Sequence, residues 1–544
     1  MRIKKLSELT NKSKKRKEKA DESKDSKDTK DTKDTKDTKD TSASSTQEEQ
    51  KLSERVGDNL SRMKKALGQS TDLVVREFRI SVEEKFTLGV AYIDGLVNKD
   101  EVEHYALDSI MHYHDEHLTH DDGIINMYEL IKSYSLAAGE IMEAKTLDDA
   151  LLHVLSGDTV LFLEGYQTCI VASTRGWRDR AVSEPQSQTV VRGPRDSFTE
   201  TLRTNTALIR RRIKSPKLWI ESQQIGEFTK TDIALVYIDG IADEQVIQEV
   251  KERLSKIDID GILESGYIEE LIQDEDYTPF PTMHNTERPD SVAAGLLEGR
   301  IAILVDGTPF VLMVPALFIQ FFQAAEDYYQ RADISTLIRL MRYMAFFLAL
   351  LTPSAYIALT TFHQEMLPFA LLISIAAQRE GVPFPAIIEA FIMEITFEIL
   401  REAGVRLPRA VGSAISIVGA LVLGEAAVQA GLVSPAMVIV VSITAISNFV
   451  SPVYDMAIAV RMLRFILMVL AATFGLFGII LGLILMILHL CSLRSFGIPY
   501  MTPMAPFVKR DQKDVLIRRS IKKMKTRPKL INEKNISRQK TQKN

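Results

Sequence analysis

The chain has 544 residues, 46% of them hydrophobic, and a formal net charge of -5. That length allows more than one domain. Its two cysteines, Cys169 and Cys491, lie far apart, which excludes a disulfide framework and points to a reducing compartment.

Residues 1–50 are low in complexity: a basic opening, then a tandem Lys-Asp-Thr repeat from Lys27 to Thr41. Such a segment has almost nothing to bury and is expected to be a disordered tail. It also lacks the apolar core of a cleaved secretory signal, so the polar part of the chain is expected on the cytoplasmic side.

From Leu52 the pattern turns globular, and a duplication shows. Leu88–Gly95 (LGVAYIDG) is matched by Ile233–Gly240 (IALVYIDG), and Gly157–Gly165 (GDTVLFLEG) by Gly299–Gly307 (GRIAILVDG). The offsets are nearly equal, 145 and 142 residues. Each unit reads as an apolar strand ending at an acidic-Gly turn, a helix, and a later strand with the same ending. The expected fold class is therefore an α/β soluble region of two related subdomains, residues 51–175 and 217–336, followed by an α-helical polytopic membrane domain. Between the subdomains, residues 176–216 form a basic connector. Ser197 with Glu200 is a capping-box signature that predicts a helix over Phe198–Arg212. Its arginines, Arg203, Arg210 and Arg211 among them, suit a subunit or domain contact better than nucleic acid.

Residues 337–493 are mostly apolar. Leu340–Thr361, Ala410–Val433, Pro435–Val453 and Phe465–Leu490 each meet the roughly 20 residues that cross a bilayer. Ala410–Val433 is rich in small residues, with Gly412, Ser416, Gly419 and Leu423 near one line and Glu425 toward one end. Such a face serves close helix packing or lines an aqueous pore. Phe384–Gly404 carries Glu394, Glu398 and Glu402 on one face, which fits either an interfacial helix or a vestibule. Arginines before the first span and the basic tail over 494–544 put both on the inside. Four spans then leave Arg461 and Arg464 outside, an open conflict.

Chemistry is thinly signalled. Five histidines between His104 and His120 fit no closed metal site and read as a solvated helix end. No phosphate-binding Gly-rich loop and no nucleophile elbow occurs, so no enzyme, cofactor or metal is expected.

Three stretches carry a family resemblance: Glu184–Ile213, Pro279–Phe318 (PFPTMHNTERPDSVAAGLLEGRIAILVDGTPFVLMVPALF) and Gly424–Val440. Together they resemble A subunits of GerA-type spore germinant receptors, with a K-type subunit the expectation within that family. The resemblance implies a multi-pass protein of the spore inner membrane with its soluble domain on the core side. It implies a transporter-like B subunit and a lipoprotein C subunit as partners, assembly into a homo-oligomer, and a gated cation channel lined by Ala410–Val433. A secondary transporter and a membrane scaffold are the rival readings. The detectable repeat lies outside the membrane block, where a transporter would carry one, and that favours the channel or scaffold.

Overall fold

The duplication seen in the sequence is a duplication of structure. The computed structural model describes residues 51–80, 86–103, 128, 141–176, 184, 185, 187–406, 424–531 and 535–539. The first unit holds α1 (Val56–Ala66), β1 (Leu73–Ile80), β2 (Phe86–Ile93), β3 (Ile141–Ala144), α2 (Leu147–Val154), β4 (Thr159–Leu163) and β5 (Cys169–Ala172). The second holds α3 (Leu202–Arg212), β6 (Leu218–Ile225), β7 (Thr231–Ile238), α4 (Glu244–Ser255), α5 (Ser265–Ile272), β8 (His284–Thr286), α6 (Pro289–Glu298), β9 (Ile301–Val305) and β10 (Val311–Val314). Their sheets run β1-β2-β4-β5-β3 and β6-β7-β9-β10-β8, one topology written twice. Every described strand pair in them is antiparallel. The apolar runs β4 and β9 are buried along their whole length at the centre of each sheet.

The equivalence extends to single hydrogen bonds. Asp94 N donates to Asp72 O, and Asp239 N to Lys217 O, each at 2.8 Å. Gly165 and Gly307 take φ of 87° and 89°, a left-handed turn that favours glycine. Their amides donate to Glu54 O and Glu200 O, each at 2.8 Å. The acid before each of these glycines caps the helix that opens its unit. Glu164 accepts from Val56 N, and Asp306 from Leu202 N, each at 2.9 Å.

That pairing corrects the reading of the connector. The helix begins at Leu202, and Ser197 does not cap it: its hydroxyl donates to Glu287 O at 3.0 Å. Leu202, Leu208, Ile209 and Ile213 pack into the second core with β6, β7, β9 and α6. The helix is thus the first element of the second unit and the counterpart of α1. Its short apolar face was hidden by four arginines in the sequence.

A helical part follows: α7 (Ala332–Thr361), α8 (Phe369–Arg379), α9 (Ala386–Arg406), α10 (Gly424–Gln429), α11 (Pro435–Phe449) and α12 (Tyr454–Ser492). Among the described residues, α7 and α12 are long and apolar enough to cross a membrane, and α8 and α11 are shorter apolar helices. Pro435–Val453, expected to span, is helical only to Phe449.

Phe465–Leu490, expected as one crossing, is not straight. Gly475 sits at φ 61°, ψ -142°, breaking α12 in two. A Cβ on Gly482 would lie 2.5 Å from the Leu467 side chain, and one on Gly478 2.1 Å from Leu470 O. In a straight helix Leu467 and Gly482 would be about 22 Å apart. α12 is therefore a helical hairpin turning at Gly475, where His363 packs against the turn. Both its ends return to the second unit. Asp455 accepts from Asn285 at 2.6 Å, and His489 lies 2.9 Å from the Thr278 hydroxyl.

The residues after α12 also return there. β11 (Arg494–Ser495) and β12 (Ile498–Pro499) form a small hairpin. Ser495 Oγ donates to Thr282 O at 2.7 Å, and Phe318 N to Tyr500 O at 2.9 Å. Val515 and Ile531 enter the second unit's core.

Candidate functional site

Two of the stretches that carry the family resemblance pack on each other. Glu287 accepts from the Ser187 hydroxyl at 2.7 Å and the Gln188 amide at 3.0 Å. Arg288 donates to Gln188 O at 3.2 Å, Pro194 O at 3.0 Å and Asp290 at 2.7 Å. Glu287 and Arg288 thus staple residues 187–198 to the start of α6, below the junction with the helical part.

At that junction, Phe280, Phe318, Phe321 and Phe322 pack with Tyr343 and Phe346 of α7 and Tyr500 of the tail. Phe322 stacks on Tyr343 with ring centroids 4.4 Å apart. Beside these rings lies a buried charge node. Arg339 of α7 is wholly buried and reaches Asp327 at 3.0 Å and Asp514 at 2.7 Å. Arg342, one turn on, reaches Asp327 at 2.8 Å, and Tyr328 donates to Asp514 at 2.5 Å. One node therefore fastens the end of the second unit, the first long helix and the tail. Buried charges persist only when paired this closely.

The same junction holds a cleft of about 310 Å³ whose lining includes Glu264, Glu269, Asn285, Tyr454 and Asp455. Burial, and then the Asp455 charge, push the Glu269 carboxyl up to about 7. Burial also pushes Glu264 upward, but hydrogen bonds from Ser265, the Gly266 amide and Thr308 outweigh it and hold that carboxyl low.

Inside the helical part, α9 turns its acids on α12. Glu394 is wholly buried, 2.9 Å from Arg464. Glu398 reaches Arg464 at 3.1 Å and Arg461 at 2.6 Å. Only Glu402 stays in the open, paired with Arg406 at 2.7 Å along its own helix. The three acids expected on one wet face are thus divided, because two arginines face the first two. At the other end of α9, Glu389 accepts from Ser434 N and Oγ at 2.6 and 2.5 Å.

The remaining residues singled out by the sequence are scattered. Arg210 is wholly buried: Nε and Nη2 grip Asp72 at 2.8 and 3.0 Å, and Nη1 donates to Leu218 O at 2.7 Å. It joins the two α/β units, so its place as a contact to another subunit is corrected. Arg203 lies 3.7 Å from Asp94 and Arg211 is exposed. Glu425 is exposed and accepts from Gln429 at 3.2 Å. Gly412, Ser416, Gly419, Leu423 and the histidines His104–His120 lie outside the described residues. No group of three or more potential metal ligands occurs among the described residues.

Sequence reasoning missed Arg339, Asp327, Asp514, Arg461 and Arg464 as a set. One signal was available. Arg461 and Arg464 interrupt an apolar run three residues apart, and Glu394 and Glu398 interrupt another four apart. Opposite charges at helical spacing in two apolar helices are natural partners. Asp327 and Asp514 left no such trace, being 187 residues apart in polar surroundings.

The profile of the Bacillus/Clostridium GerA spore germination protein family matches residues 61–530. Spore germination protein KA of Bacillus subtilis is 53% identical over 86% of this chain and 85% of its own length. The membrane protein YfkQ of the same organism is 45% identical over 88% of this chain and 92% of its own length. The crystal structure of the N-terminal domain of the A subunit of the Bacillus megaterium spore germinant receptor GerK3 is 43% identical. It covers 50% of this chain and 98% of that domain, with a TM-score of 0.40.

Proposed function

The chain belongs to the Bacillus/Clostridium GerA spore germination protein family, and from that premise we propose that it is the channel-forming A subunit of a nutrient germinant receptor, releasing cations when nutrient is sensed elsewhere in the complex. The observation that carries this reading is the network between α9 and α12 in which buried Glu394 and Arg464 join half-buried Glu398 and Arg461. Ionisable groups enclosed between apolar helices are expensive and mark ion paths or the parts that move beside them. Here they hold α9 against the hairpin. A change in their pairing shifts one helix relative to the other.

Topology follows the same reading. α7 starts at the α/β units and ends at Thr361, so that His363 just after it lies beside the hairpin turn. α9 runs back, from Glu389 by Ser434 to Glu398 by Arg461, and α11 also runs back, ending at Asn448 near Arg342 and Phe322. Two helices running the same way need a crossing between them, and that is where the small-residue segment Ala410–Val433 belongs. With the two arms of α12 the crossings are even in number. The α/β units and the tail then share one side, the core side of the spore inner membrane, and Arg461 and Arg464 sit near that side. Gly412, Ser416, Gly419 and Leu423 line the pore in this account, and Glu425 stands at the far mouth. Arg203 and Arg211 face neighbouring copies in a homo-oligomer. A transporter-like B subunit binds the nutrient, and a lipoprotein C subunit completes the receptor.

The signal reaches the pore through rigid parts. The Arg339–Asp327–Asp514 node makes α7 move with the α/β units, and a ligand bound more tightly to one arrangement shifts the population toward it. Spores carrying Leu423→Ala test this. At wild-type abundance they should leak potassium and lose dormancy without nutrient, since the side chain that narrows the closed pore is gone. Normal dormancy at normal abundance would return this segment to ordinary helix packing.

A further inference from the structure

We propose that the C-terminal strap over Val515–Lys525 is a docking surface for an anionic lipid layer, on the side of the membrane that bears the α/β units. The stretch reads VLIRRSIKKMK and contains no acidic residue. Three side chains anchor it inward. Val515 and Met524 are buried, and the buried Arg518 guanidinium lies 5.7 Å from the centre of the Tyr328 ring. The rest face outward: Leu516, Ile517 and Ile521, with Ile517 59% and Ile521 52% exposed, interleaved with exposed Arg519, Lys522, Lys523 and Lys525.

The strap's place decides what this face meets. Thr336, in the first turns of α7, donates to Arg518 O at 3.3 Å. Arg339 ties the preceding residue, Asp514, to the same helix. Apolar residues of α7 at this level, Leu337, Leu340, Met341 and Met344, are exposed as well. The strap's isoleucines therefore continue the lipid-facing surface of α7 at the depth where hydrocarbon gives way to headgroups. Exposed apolar side chains among lysines and arginines, lying beside a span, are the chemistry of a surface that inserts shallowly and attracts anionic headgroups. Nucleic acid would use the cations but leave Leu516, Ile517 and Ile521 in water. The proposal rests on α7 crossing the bilayer, and it adds a lipid requirement that a channel subunit does not by itself imply.

The test uses the full chain in nanodiscs, with Cys491→Ser and a single fluorophore on Ile517→Cys. Acyl chains carrying bromine quench a fluorophore that enters the bilayer. Discs of phosphatidylcholine are compared with discs containing phosphatidylglycerol. Quenching should rise at least about twofold with the anionic lipid. It should fall back in Arg519→Glu/Lys522→Glu/Lys523→Glu. Controls are Met344→Cys, quenched in both discs, and Leu152→Cys on the first unit, quenched in neither. If Met344 is quenched and Ile517 is not, in either lipid, the strap does not dock on the membrane. If Ile517 is shielded only as protein concentration or added RNA rises, the partner is another copy or a nucleic acid, and the proposal fails. Absence of quenching at Met344 would instead overturn α7 as a span.

Discussion

Removing the Arg210 guanidinium leaves Asp72 buried without a partner. Loss of one member of a buried pair costs about 3–5 kcal/mol, so Arg210→Met should markedly lower the thermal unfolding temperature of the α/β part. Arg211→Met, exposed on the same helix, should change it little. Equal effects would place Arg210 outside the join. Glu269 makes a second prediction, in pH. Its folded value, about 7, stands above the unfolded value near 4.5. Stability from this group is complete below about 4.5 and is lost as pH rises through about 7, by roughly 3 kcal/mol. Glu269→Gln should flatten that part of the stability curve. An unchanged slope would show that the carboxyl is not held in the junction cleft as described. Glu269 did not announce itself in sequence, and Arg210 stood out only as one of several candidate contact arginines. Arg210 looked like one of four surface arginines because burial depends on Asp72, which lies 138 residues away.

Among elements, the hairpin is the sharpest departure from what the sequence offers. Hydropathy counts apolar residues and is blind to a single left-handed glycine, so Phe465–Leu490 reads as one span. Leu467→Cys with Gly482→Cys, in a Cys491→Ser background, should join on oxidation, since a disulfide needs Cα atoms within about 7 Å. A straight helix separates them by about 22 Å, so failure to cross-link under conditions that oxidise exposed thiols would contradict the fold-back. The repeat was legible for the opposite reason. Its strands end in acidic-Gly turns whose glycines take a positive φ, and the acid of the later turn in each unit caps a helix, so the chemistry of the turn is written in adjacent residues. The helices that open each unit, α1 and α3, share no comparable signature beyond Asn59 and Asn205, and they went unmatched. Those asparagines make equivalent loops, accepting from Ser53 N and Thr199 N, each at 2.8 Å.

For the whole molecule, the repeat and the apolar runs gave the α/β plus helical plan and the resemblance gave the family, while the couplings between parts came only with the structure. The Asp327–Arg339–Asp514 node, the aromatic cluster and the α9–α12 charges make one continuous path from the α/β units to the helices. Such a path is what the proposed channel role requires, a mechanical link between the α/β units and the helices. The most direct measurement is electrical: the assembled receptor, reconstituted in a planar bilayer and exposed to its nutrient. The account predicts a cation current that starts with nutrient, is absent without it, and is reduced by Glu425→Gln at equal protein, because the substitution removes charge at the mouth but little volume. Nutrient binding by a fully assembled receptor with no current above the empty bilayer would contradict the channel.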